Sequence, residues 1–382
     1  MGLFGFKPKT KLGIDIGTAS IKVVELSEEK NRFKLNNYGI FELESGGALA
    51  VKHEAGKRQM TQLSDTDIVW GVKEILKKGK IRTKDAVASI PSFLTFATVV
   101  KIPFVPNKNI AQTINFEARK YIPLPLDEVV LDWSILSIDK SKEEKDKEKK
   151  KEEELNDKDK EKKKEDNKIK GGASLEVFLA AVPKEETARY QSVIKRAGLQ
   201  LRALELENSA LIRALIGNDQ SPIAITNIGG RSTSILVVDK GIERVSHNYE
   251  VGGFEITKSI ASSLNISIKR AEELKRSFGL RDEENNVINR AMGSLVDLMV
   301  IETSRTIKGY EEKNHTKIET VILVGGLTNM PSFVKYFSQK LDREVSVGNP
   351  MARITAPPGL EPLKQELNST FAISLGLAMR KI

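Results

Sequence analysis

Cysteine is absent from this 382-residue chain, which excludes disulfides and thiolate metal sites and fits a reducing compartment. Histidine is scarce as well. His53, His247 and His315 stand far apart and make no metal-spacing motif. Aromatic residues form 6% of the chain and do not alternate with basic ones, so the formal charge of +9 carries no nucleic-acid signature. Lys140 to Lys168 holds 13 lysines against 12 acidic residues and therefore adds almost nothing to the net charge. The remaining basic excess is diffuse and suits an anionic membrane surface. A long hydrophobic run is missing too. The most apolar window, VASIPSFLTFATVVKIPFVP, is broken by Pro91, Lys101, Pro103 and Pro106 and reads as strands, not as a membrane span. MGLFGFKPKTK lacks the apolar core of a secretory signal, and Phe6 stands where a myristoylation motif needs Ser or Thr. The expectation is a soluble protein of two or more domains.

What is present begins with LGIDIGTASIKVVEL. Ile14 and Ile16, then Ile21, Val23 and Leu26, alternate as in two antiparallel strands, with Gly17 at the bend. An ordinary hairpin accounts for that much. It does not account for Asp15 at the strand end, hydroxyls at Thr18 and Ser20, and Lys22 just past the turn. Backbone N–H groups of a glycine turn, hydroxyls and an ammonium suit an anion, whereas a carboxylate suits a hydrated divalent cation. The pattern returns in PIAITNIGGRSTSILVVDKGI, about 210 residues later. Apolar strand, polar residue, Ile-Gly, hydroxyls and apolar strand recur in that order. Two copies of one turn imply an internally duplicated fold whose hairpins face each other across a cleft.

Between the two copies, TDIVWGVKEILKKG and NKNIAQTINFEARKYIPLP read as helices. The second carries Ile110, Ile114, Ala118 and Tyr121 at helical spacing, with Asn107 as cap and Pro123 as stop. VVLDWSILSI and SLEVFLAAVP read as strands, and KEETARYQSVIKRAGLQ as a helix closed by Gly198. Lys140 to Lys168 has almost no apolar residue and is expected to be a solvated excursion, dispensable for folding.

These features resemble the actin-like ATPase superfamily and, more closely, the type IV pilus assembly protein PilM family. The superfamily's first phosphate motif, Asp-x-Gly-Thr/Ser with Lys seven residues after the Asp, is matched by Asp15, Gly17, Thr18 and Lys22, with Ala19 and Ser20 inside the turn. Its second motif is matched by Asn227, Gly229 and Thr233, with Gly230 in the turn. TVILVGGLTNMPSF supplies Gly325 and Gly326 of the adenosine motif. VGGFEITKSIA, with Gly252 and Gly253, resembles the glycine pair near the phosphates. SIKRAEELKRSFG resembles the helix that leans on the adenine, with Glu272 and Lys275 on one face. FEARKYIPLPLDEVVLDW, FLAAVPKEETARYQSVIKRAGL, ALELENSALIRAL, GNPMARI and FAISLGLAMR carry the likeness to the PilM family.

The resemblance implies a duplicated α/β fold of the actin-like (ribonuclease H-like) type, two domains around a nucleotide cleft, with an inserted small α+β subdomain. It divides the chain into 1–83, first part of domain I; 84–200, an inserted 1C (SHS2-like) subdomain containing the charged excursion 139–170; 201–220, the connection and return of domain I; 221–360, domain II with the adenosine region; and 361–382, a C-terminal helix returning to domain I. It implies ATP or ADP with Mg2+, the magnesium held through water by Asp15. No catalytic residue is assigned. Asn227 stands where many relatives carry Asp, and an amide brings no charge, so weak or absent turnover is expected.

The function implied is that of a cytoplasmic scaffold at the inner face of the cytoplasmic membrane, serving type IV pilus or related type II secretion assembly. It would bind the N-terminal cytoplasmic tail of a PilN-like inner-membrane protein, extended in a groove between domain I and the inserted subdomain, and link it to a motor ATPase. Membrane association would come through that partner, with no nucleic acid involved. Two alternatives stand beside it. An FtsA-like division protein, filament-forming, is expected to end in an amphipathic helix, where this sequence reads GLAMRKI. A sugar-kinase-type phosphotransferase needs a carboxylate base beside a sugar pocket; the expectation is that no second acidic residue sits near the phosphate turns, and Asn227 counts against it too. Glu207, on the connection into the second half, reads as an acid at the start of the helix NSALIRAL or as a residue that orients a water.

Overall fold

β1 (Lys9–Ile16) and β2 (Ser20–Glu29) pair antiparallel, Asp15 opposite Lys22 and Ile16 opposite Ile21. A computed structural model describes residues 9–29, 32–42, 63–103, 110–139, 174–281 and 287–382. It divides the chain into two units, Met1–Leu94 with Thr187–Ile382, and Thr95–Glu186. Asn107 and the Lys140–Lys168 stretch lie outside the described residues.

In the larger unit β1 and β2 continue into β3 (Arg32–Glu42), then α1 (Asp65–Lys78) and β4 (Asp85–Ile90). Ser64 starts α1 by accepting from the Asp67 N–H at 3.1 Å, a cap worth about 1 kcal/mol. Lys77 and Lys78 in its last turn suit the helix dipole. Both faces of β1 and β2 are covered, which explains why the run is apolar almost throughout. Leu12, Ile14, Ile21 and Val23 pack with Ile68 and Val72 of α1. On the same face lie Tyr190 and Ile194 of α3 (Lys184–Arg196). Val24 and Leu26 face Phe371 and Leu375 near the C-terminus.

The six-stranded sheet has the order β14-β3-β2-β1-β4-β8, with β8 Gln200–Leu206 and β14 Ile354–Thr355. The five-stranded sheet, β11-β10-β9-β12-β13, contains β9 (Ile223–Ile228), β10 (Thr233–Asp239), β11 (Ile242–Tyr249), β12 (Thr320–Val324) and β13 (Glu344–Val347). Each contains an antiparallel three-strand meander followed by two strands running parallel to its first member, and the six-stranded sheet adds β14 parallel to β3. The repeat seen in two turns therefore extends to whole sheets.

The remaining helices are α4 (Glu207–Leu215), α5 (Gly253–Leu264), α6 (Ile268–Phe278), α7 (Val287–Asn314), α8 (Phe333–Leu341), α9 (Lys364–Thr370) and α10 (Ala372–Ala378). No helix among the described residues is long and apolar enough to cross a membrane.

The smaller unit is a three-stranded antiparallel sheet, β5-β7-β6, made of β5 (Phe96–Pro103), β6 (Val129–Asp139) and β7 (Ser174–Pro183). Its helix α2 (Ile110–Ala118) buries Ile114 and Ala118 on Ile102, Leu175 and Leu179. Tyr121 falls beyond the helix and is 41% exposed. The unit is narrower than the 84–200 segment expected from the sequence, for a topological reason. β4 and β8 at its two ends pair in parallel inside the six-stranded sheet, and α3 packs on that sheet.

Candidate functional site

The two turns are built alike. Gly17 N–H donates to Ser20 O at 3.0 Å, and Gly229 N–H donates to Ser232 O at 2.9 Å. A Cβ on either glycine would press on that same serine oxygen, at 3.1 and 3.0 Å, which is why both copies carry glycine there. The N–H groups of Thr18 and Ala19, and of Gly230 and Arg231, have no partner among the described residues. Open N–H groups in a tight turn are donors of the kind that receive anions. The turns also touch: a Cβ on Gly230 would lie 2.7 Å from the Ala19 Cβ.

Together they floor a cleft of about 1170 Å³, large enough for a nucleotide. Asp15, Gly17, Thr18, Ala19, Ser20 and Lys22 line it from the first hairpin. Asn227, Gly229, Gly230 and Ser234 line it from the second, and Gly253, Glu272, Lys275, Gly325 and Gly326 from elements beyond it. Asp15 is buried, with Oδ2 3.3 Å from Lys22 Nζ and Oδ1 3.4 Å from Ser89 Oγ. Among the described residues no group of three His, Asp or Glu side chains could hold a metal directly. One carboxylate acting through water, with phosphate oxygens supplying other ligands, is an arrangement that magnesium accepts.

Two of the residues expected from the motifs are not on the cleft wall. Thr233 is fully buried and its hydroxyl donates to Val251 O at 2.7 Å. Gly252 backs the second turn instead: a Cβ there would be 2.7 Å from Arg231 N and Gly229 O. Gly253 and Phe254 N–H groups donate to Gly229 O and Gly230 O at 3.0 and 2.7 Å, so the start of α5 holds the turn by its carbonyls and leaves the turn's N–H groups free. The glycines of the adenosine motif also differ from each other. Gly325 has φ +100°, and a Cβ would lie 2.0 Å from Ile228 O, so packing alone demands glycine. At Gly326 a Cβ would meet nothing within 4 Å, and the open face lies on the cleft.

Lys275 is a strut as much as a wall. Its ammonium donates to Gly253 O at 3.0 Å and Thr257 Oγ1 at 2.8 Å and pairs with Glu272 Oε2 at 2.7 Å. Burial works to raise the Glu272 carboxyl, but Lys275, Thr257 and Arg276 outweigh it and leave it below its ordinary value.

The chief correction concerns Glu207. It stands at the start of α4, yet its side chain lines the cleft. Oε2 accepts from Ser92 N–H at 3.0 Å and from Ser92 Oγ at 2.9 Å. Burial, and then the charge of Asp15, push its carboxyl up to about 7, against the Ser92 bonds and Lys22. A second acidic residue therefore does stand by the phosphate turns. Ser92 Oγ lies 3.1 Å from Asn208 Oδ1, and Asn208 Nδ2 donates to Glu243 Oε1 at 3.2 Å and Ser246 Oγ at 3.1 Å. Burial also takes Glu243 to about 7.

Sequence reasoning missed Ser234 and Arg231 as well. Ser234 stands opposite Asn227 as Lys22 stands opposite Asp15. Strand alternation across the second turn was the available signal.

Comparison with known proteins gives the family and the fold. The sequence model of the family described as Type IV pilus assembly protein PilM matches residues 13–150 and 165–382. Among solved structures, a PilM–PilN type IV pilus biogenesis complex aligns with a TM-score of 0.75 at 22% identity, over 97% of this chain and 98% of that one. The ethanolamine utilization protein EutJ of Carboxydothermus hydrogenoformans aligns with a TM-score of 0.54 at 19% identity, over 98% and 90%. Among curated sequences, the cell division protein FtsA of Neisseria meningitidis serogroup B is 24% identical over 184 residues, 42% of this chain and 44% of that protein. The chain thus spans less than half the length of that curated relative. The structural likenesses show the actin-like ATPase fold.

Proposed function

The chain belongs to the type IV pilus assembly protein PilM family, and from that membership and its cleft we propose that it is a nucleotide-binding scaffold of type IV pilus or related secretion assembly. One observation carries the nucleotide reading. Two turns of identical closure present unpartnered N–H groups to one cleft, with Lys22 beside the first. ATP or ADP is the class of ligand that fits, phosphates toward the turns and the base toward Gly326 and Glu272. Magnesium, where bound, neutralises phosphate charge, and Asp15 is the residue to hold it through water. The site bears Asn227 at the second turn, so turnover is slow and the nucleotide acts by stabilising one form of the protein.

Thermal melts test this reading. ATP with magnesium at one hundred times its Kd stabilises by about 2.7 kcal/mol through mass action and raises Tm. Asp15→Ala and Lys22→Ala abolish most of that rise, while phosphate release in the same samples stays far below ordinary enzyme rates. No shift for the wild type, or an equal shift in all three proteins, refutes the reading.

The scaffold part has its own support. A PilM–PilN complex is among the solved structures that align with nearly the whole length of this chain. The smaller unit also exposes Phe116 (63%) and Leu124 (43%) beside the half-open Tyr121. An extended, partly apolar tail of a PilN-like inner-membrane protein suits such a surface. Its ordering costs free energy, so affinity is modest, roughly micromolar. That partner brings the protein to the cytoplasmic face of the inner membrane, where a motor ATPase is a further candidate partner. Titrating a labelled tail of a co-encoded membrane protein against the wild type and Phe116→Glu checks it. Binding weaker than about 1 mM, or unchanged by the substitution, removes the docking proposal.

A further inference from the structure

In the two hairpins Arg231 occupies the place that Ala19 has in the first turn, two residues past the closing glycine. It lines the cleft. Its Nε is buried and has no hydrogen-bond partner. The guanidinium carbon lies 4.6 Å from the centre of the Phe254 ring, and Lys258 Nζ lies 5.0 Å from that same ring. Phe254 is itself tied to the turn through its N–H bond to Gly230 O. Neither cation makes an ion pair among the described residues. The nearby acid, Glu255, uses Oε2 to cap the Gly252 N–H at 3.0 Å. Burial draws Arg231 below its ordinary value, with Glu255 opposing. Two cations around one aromatic ring, neither in an ion pair, with the Arg231 Nε buried and unpartnered, make an unbalanced, partly desolvated site, which an anion would complete.

We propose that Arg231 is a phosphate ligand of the cleft, its guanidinium binding the polyphosphate of the nucleotide beside the open N–H groups of the second turn. This rests on the nucleotide reading above and adds a residue to it. The planar fork of arginine matches two phosphate oxygens at once, and Phe254 holds it in reach without consuming its donors. Asn227 leaves the second turn without a carboxylate, so Arg231 makes the net side-chain charge there positive. Phosphate binding at this turn accordingly depends on a side-chain cation as well as on backbone N–H groups.

Calorimetric titration of ATP, ADP and adenosine into the wild type, Arg231→Gln and Arg231→Lys tests the proposal. Loss of a hydrogen bond to a charged group lowers affinity roughly ten- to hundredfold. The expected result is that loss for ATP and ADP in Arg231→Gln, a smaller loss in Arg231→Lys, and adenosine binding within about twofold of wild type. Melting without nucleotide checks that each variant folds. If Arg231→Gln does not fold, the same contrast between ATP and adenosine is read from Arg231→Lys. Equal ATP affinity in the wild type and the variants overturns the proposal. So does an equal loss for ATP and adenosine, which would mark Arg231 as structural. A wild type that binds none of the three fails the nucleotide reading itself, a separate result.

Discussion

Gly376→Ala is expected to destabilise the protein by about 3 kcal/mol or more. α10 is wedged between β1 and α4, with a glycine at each contact. A Cβ on Gly376 would lie 2.0 Å from Ala210 O and 2.7 Å from Ala210 C. On the other side a Cβ on Gly13 would lie 1.9 Å from Ser374 O and 2.6 Å from Ala378 N. All four neighbours are backbone atoms, so no side chain can swing aside. Relief requires α10 to shift against a strand and a helix that are buried around it. Against a typical stability of about 5–15 kcal/mol, the loss is large. Urea unfolding is the measurement: the midpoint falls while the slope is kept. Gly293→Ala, inside α7 with nothing within 4 Å of its Cβ, is the control and should be neutral or stabilising by up to ~1 kcal/mol. A midpoint for Gly376→Ala equal to wild type would contradict the packing argument. The same wedge positions the site, because β1 carries Asp15 at its end and α4 begins at Glu207.

The second large effect is on pH. Nucleotide affinity is expected to fall about tenfold between pH 6 and pH 8, and Glu207→Gln is expected to remove most of that fall. Glu207 is held near 7 by burial and by the charge of Asp15. Below that value it is neutral and donates or accepts without repelling phosphate. Above it, a second carboxylate beside Asp15 faces the incoming anion. Binding of phosphate therefore favours the protonated form and takes up a proton, so affinity rises as pH falls.

Stability without ligand follows the same linkage. Because the folded value of Glu207 lies above its ordinary 4.5, the folded state binds more protons than the unfolded one between about 4.5 and 7. The contribution is complete below about 4.5 and is lost as pH rises to about 7. Glu243 acts in the same window through its own burial, so the share of Glu207 is the difference between the wild type and Glu207→Gln. A variant whose binding keeps the full pH dependence would show that another group is responsible.

Much of the fold was legible because its determinants are local. Gly17 and Gly229 close their turns onto serines three residues away, and the flanking β-branched runs can only pair as hairpins once the turn is made. Asp15 opposite Lys22, and Asn227 opposite Ser234, follow from the same four-residue turns. Helix α2 showed its core in the spacing of Ile114 and Ala118, but Tyr121 was misplaced, because the helix ends at Ala118 and its periodicity ends there too.

What the sequence by itself determined is the duplicated hairpin with its glycine turn, since those depend on residues within a few positions of each other. Tertiary structure alone decided which side chains join that turn. Glu207 reaches Ser92 across 115 residues because β4 and β8 pair in parallel and bring their ends together. Its carboxyl is pushed up to about 7 because packing removes water and sets Asp15 nearby. Thr233 faces Val251 rather than the cleft, and Arg231 is gathered onto Phe254 by the docking of α5 against the turn. The physical reason is range: backbone sterics and strand alternation act along the chain, whereas burial, charge and contact act through space and await the packed sheets.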